Sequence, residues 1–93
     1  MSRPDPIGPW VPGIDPAERL ARYRSLRALV QVFCGSTHPL VMALARAEAD
    51  QSDEAAALAW QAMESMPALK RRHVLASMGE LMRATERAMR KRA

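Results

Sequence analysis

Leucine, valine, methionine and alanine recur along this chain at spacings of three and four residues, and almost nowhere alternate with polar residues in the short runs that mark a strand. A period near 3.6 puts them on one side of a helix and predicts an all-α protein. The first predicted helix has Asp15 as N-cap, Pro16 at the first helical position and Glu18 near the positive end of the dipole. It reaches about Cys34, where Gly35 supplies the stop. Leu20, Tyr23, Leu26, Leu29, Val30, Phe33 and Cys34 cover more than one narrow stripe, so this helix should be contacted on two sides and form the centre of the fold.

A second helix is expected after "GSTHP", with Ser36 or Thr37 as cap and Pro39 in the first turn. It extends to about Asp50 with Leu40, Val41, Leu44 and Ala47 facing inward. The third begins with Ser52 as cap and Asp53 and Glu54 in its first turn, and runs to about Ser65. Ala55, Ala56, Ala57, Ala59 and Ala62 leave little bulk and invite a close neighbour. Leu58 and Met63 are predicted core, Trp60 core or rim. Pro67 marks the next boundary, with Ser65 as cap, and the last helix runs from Ala68 to about Lys91 as the longest element.

The first 16 residues, "MSRPDPIGPWVPGIDP", hold five of the seven prolines and read as an extended arm, because proline fixes φ and removes a backbone donor. Ile7, Trp10, Val11 and Ile14 argue against a wholly solvated tail. Trp10 is expected to lie across the helical core, or else to anchor the arm on a partner. The organisation is a Pro-rich arm over residues 1–14 and a single α-helical domain over residues 15–93, a small bundle of about four helices.

Within "DQSDEAAALAWQAMESMP", Ala55, Ala62 and Pro67 fall at the small, small and proline spacing of a tetratricopeptide unit, with Ala43 correctly placed in the preceding helix. The segment resembles the second half of such a unit, but Pro39, Arg46 and Ala59 stand where that family places large residues, and no second unit follows. The likeness is that of an alanine-rich helical hairpin. A DNA-reading helix-turn-helix fits poorly, since the third helix carries Asp53, Glu54 and Glu64 and no Lys or Arg to lie against phosphates.

Composition narrows the chemistry. One Phe, one Tyr and two Trp in 93 residues leave the core to Leu, Val, Met and Ala. Cys34 is the only cysteine and cannot form an internal disulfide, no apolar run approaches the roughly 20 residues of a membrane span, and no signal-peptide pattern opens the chain. A cytoplasmic protein is expected. His38 and His73 fall on different elements, Gly8, Gly13, Gly35 and Gly79 are isolated, and Glu48 with Asp50 resembles a solvated helix end. No metal, cofactor or enzymatic activity is therefore expected.

Charge is uneven: residues 1–37 hold five basic and three acidic side chains, residues 38–66 one and five, and residues 67–93 eight and two, for a net charge of +4. The last helix is expected to answer part of the acidic hairpin internally. On a wheel of about 100° per residue, Val74, Leu75, Met78, Leu81, Met82, Ala88 and Met89 share one side of it. Arg72, Arg83, Arg87 and Arg90 share the opposite side with Ala76 and Gly79 between them, while Glu80 and Glu86 can pair with Arg83 and Arg90.

Together these features predict a small non-enzymatic interaction or adaptor protein, binding another protein or itself as a homodimer through the last helix. Its contacts would be Trp10, Leu75, Met78, Met82 and Met89. The alternative is a nucleic-acid-associated accessory or regulatory protein whose stripe of Arg72, Arg83, Arg87 and Arg90 meets phosphates.

Overall fold

The computed structural model describes residues 8–92, without the Arg92 side chain; Ile7 of the arm lies outside the described residues. The chain forms an all-α bundle of four helices, α1 (Pro16–Cys34), α2 (Pro39–Asp50), α3 (Asp53–Glu64) and α4 (Ala68–Arg92), with no strand among the described residues.

α1 packs against both α2 and α4, and α2 pairs in turn with α3. The broad apolar surface of α1 explains its central place, since Tyr23, Leu26 and Val30 are all buried. Leu40 and Leu44 of α2, Met63 of α3, and Val74 and Met78 of α4 complete a core in which each is at most 1% exposed. Burying one such side chain is worth about 1.5–3 kcal/mol. α2 and α3 pack together, and the small buried side chains they carry, Ala47, Ala55 and Ala59, suit the close approach that the alanine run predicts.

Two helix starts follow the sequence. An Asp15 carboxylate oxygen accepts from the Ala17 N–H at 3.2 Å, and Ser52 Oγ accepts from the Ala55 N–H at 3.1 Å. The α2 cap differs: it is His38, whose Nδ1 accepts from the Leu40 N–H at 3.1 Å, and not Ser36 or Thr37. Gly35 turns the chain at φ 93°, which leaves Ser36 and Thr37 in the turn. Pro39 then keeps the residue before it extended, the backbone conformation of an N-cap.

Ser65 likewise does not cap α4. It continues α3 with helical backbone angles, and its hydroxyl donates back to the Gln61 carbonyl at 2.9 Å. The Pro67 carbonyl accepts from the Arg71 N–H at 3.0 Å at the start of α4. Leu58 is a further correction: it is 45% exposed, because Ala55, Ala59 and Met63 are the residues of α3 that face the core and Leu58 lies about 100° round the helix from Ala59.

The acidic hairpin is answered mainly by α1. Glu48, with its side chain 12% exposed, meets Arg24 Nε at 3.4 Å and accepts from Arg27 Nη2 at 3.1 Å, tying α2 to α1. The expectation that α4 lies along the hairpin is thus replaced by an α4 that rests on α1. At 25 residues α4 is about 37 Å long and sets the 39 Å long dimension of the molecule.

Candidate interaction surface

Residues 8–14 lie across the bundle, held by side chains of α1 and by Trp10. Arg19 Nε donates to the Pro9 carbonyl at 3.1 Å and its Nη2 to the Val11 carbonyl at 3.3 Å, while Arg22 Nη1 donates to the Gly8 carbonyl at 3.1 Å. A proline-rich segment has few N–H groups to offer and many free carbonyls, so arginine donors are its natural partners. Trp10 packs edge-on against Tyr23 and Trp60, with ring centroids 6.5 and 5.0 Å away, and its Nε1 donates to the Ala56 carbonyl at 2.9 Å. Within this chain Trp10 therefore closes the core and has its polar atom satisfied.

Beside it, Arg19, Tyr23, Gln51 and Asp53 line a cavity of about 130 Å³, below the roughly 300–1,000 Å³ of small-molecule sites. Burial raises the Tyr23 phenol above its ordinary value; the Arg19 charge opposes this and Asp53 adds to it.

The methionine side of α4 divides along its length. Met78 is 1% exposed and belongs to the core, Leu75 and Met82 are half-buried against it, and Met89 is 67% exposed. Leu81, not among the contacts predicted from sequence, is 43% exposed. From Arg83 to Lys91 every residue is exposed. Between this part of α4 and the first half of α1 runs an open groove of about 340 Å³, whose walls include Ala21 and Ser25 on one side and Met82 and Met89 on the other. A second open apolar depression, of about 400 Å³, lies on the hairpin between Met42 and Leu58.

Arg72, Arg83, Arg87 and Arg90 are all exposed. Glu80 Oε1 accepts from Arg83 Nη2 at 3.2 Å, as the three-residue spacing predicts. Glu86 instead lines the groove beside Arg22 and Glu18. Gly79, expected between the arginines, is buried at the edge of the packed side.

The α4 pattern located this surface, but its depth depends on where α1 stops supporting α4. Ala17, Ala21, Ala28 and Val32 recur at spacings of four and seven on an exposed side of α1, but of these only Ala21 lines the groove.

Among the described residues no group of three His, Cys, Asp or Glu side chains is placed to hold a metal ion, and no helix is long and apolar enough to cross a membrane. No protein-family model, curated protein or solved structure matches the chain.

Proposed function

We propose that this protein works by association, binding another protein or a second copy of itself through the apolar side of the C-terminal half of α4. The observation that supports this is the exposure of Leu81 and Met89 on a helix that continues through Arg92 although every side chain from Arg83 to Lys91 is exposed. Isolated helical segments of fewer than about 12–15 residues are marginal in water, so a partner on this side would offset the cost of keeping the end helical. Methionine suits such a surface because its unbranched side chain repacks readily.

A photo-cross-linking side chain at Ala88 is expected to trap a protein, foreign or identical, in the native cell, and Met89→Glu in the same chain is expected to abolish the product. Absence of any product from Ala88 across expression levels sinks the reading.

The exposure of Arg72, Arg83, Arg87 and Arg90 favours a second reading, contact with nucleic acid. Binding to mixed-sequence duplex should then weaken steeply with salt, and Arg87→Ala with Arg90→Ala should flatten the slope by about two units. No binding at low salt removes it.

A further inference from the structure

We infer that the cavity beside Trp10 is a binding site for a small zwitterion, an α-amino acid about the size of glycine or alanine. Its ammonium is held by Asp53 and its carboxylate by Arg19 and the Tyr23 hydroxyl. The site stands apart from the α4 surface and does not depend on the association proposed above.

Tyr23 is the observation that points to a guest. The residue is 2% exposed, lines the cavity, and its hydroxyl makes no hydrogen bond with the described residues. A buried hydroxyl without a partner is costly, and most have one. Arg19 and Asp53, whose charges act on the phenol, are also the two charged residues of the cavity wall, which puts the phenol oxygen at the cavity. The Tyr23 ring meets Trp10 edge-on at 6.5 Å, so its position is set by packing and only the hydroxyl is left to satisfy. Burial keeps the phenol protonated at neutral pH, ready to donate to a carboxylate.

The charges select the class of guest. Arg19 is anchored by Nε and Nη2 on the Pro9 and Val11 carbonyls, which leaves Nη1 for a carboxylate. The Asp53 carboxylate makes no hydrogen bond or ion pair with the described residues, Arg19 included. Two opposite charges that share one cavity without meeting suit a molecule that carries both. A simple anion is repelled by Asp53 and a simple cation by Arg19.

Size narrows the choice. A volume of about 130 Å³ is the room of roughly four waters, enough for about five or six non-hydrogen atoms. Leu20 and Ala56 supply an apolar wall for the carbon atoms, and the exposed Gln51 and Asp53 stand where a guest would enter. Arg19 would then hold the arm and the guest at once, so occupancy should tighten residues 8–14 on the bundle.

The test titrates the full chain with glycine and with L-alanine, followed by amide and indole NMR shifts. Saturable shifts are expected at Gln51, Asp53, Ala56 and the Trp10 indole N–H, with roughly millimolar dissociation constants, as suits so few atoms. Acetate and methylammonium, each with one of the two charges, are expected to bind about tenfold more weakly or less, and L-phenylalanine not to enter. Asp53→Asn and Tyr23→Phe should each raise the glycine dissociation constant about tenfold, with helical circular dichroism unchanged.

No shift at these groups up to about 100 mM of either amino acid overturns the inference. So does acetate or methylammonium binding as tightly as glycine, or glycine binding that both substitutions leave unchanged.

Discussion

The two halves of α4 contain the same kinds of residue and meet different fates. Met78 in the first half is 1% exposed and Met89 in the second is 67% exposed, although a helical wheel puts them within about 20° of each other. The difference lies in what stands opposite: α1 supports the first half, and the groove that starts at Met78 and Ser25 opens between the helices from there on. Hydrophobicity specifies that a side chain gains from burial, but the length and placement of the neighbouring helix decide whether it is buried. An exposed methionine in register with a buried one therefore marks where the packing of α4 on α1 ends.

The comparison is most directly broken at the two methionines. Met78→Ala is expected to cost about 3 kcal/mol in denaturant unfolding and Met89→Ala less than about 0.5 kcal/mol in the monomer. Equal losses would mean that both halves are packed alike. Next in size is Glu48→Ala, which leaves Arg24 and Arg27 without their carboxylate and loosens α1, the helix on which the buried half depends. With Glu48 only 12% exposed but both arginines more open, about 2 kcal/mol is expected from urea midpoints.

A smaller effect should appear with pH. The folded pKa of Tyr23 is raised by burial, so the folded state holds the phenol proton more tightly than the unfolded state. The stability this contributes is fully present below about pH 10 and is lost as pH rises through the folded value; Tyr23→Phe should flatten that alkaline loss. A chain whose alkaline stability is unchanged by the substitution would show that the phenol ionises without opening the core.

The smallest energies concern fraying. Amide exchange from Arg83 to Lys91 should proceed through openings of roughly 1 kcal/mol, while amides around Val74 and Met78 follow global unfolding. Protection of the end that grows with protein concentration would sharpen the comparison into evidence for self-association.

Much of the architecture was legible because it is locally encoded. Asp15 with Pro16, and Ser52 with two acids after it, announce helix starts through groups only a few residues apart. The His38 cap was equally local. It is missed when serine and threonine are preferred by type, and found once Pro39 is seen to extend the residue before it. Of the surface, Met82, Met89 and the exposed arginines could be read from periodicity, whereas the share of Leu75 and Met78 in the core could not. Leu58 and Met63 show the same limit on α3, since two large apolar side chains five residues apart ended on different sides.

What the sequence determined by itself were the features set by nearest neighbours along the chain: four helices, their bounds to within a residue or so, the two faces of α4 and the segregation of charge. Only the tertiary structure decided that α4 rests on α1 and not on the acidic hairpin, that Arg19 and Arg22 hold the carbonyls of residues 8–11, and how far along α4 burial extends. Caps and periodicity act within one or two helical turns, whereas these outcomes depend on which distant surface takes up the available side chains.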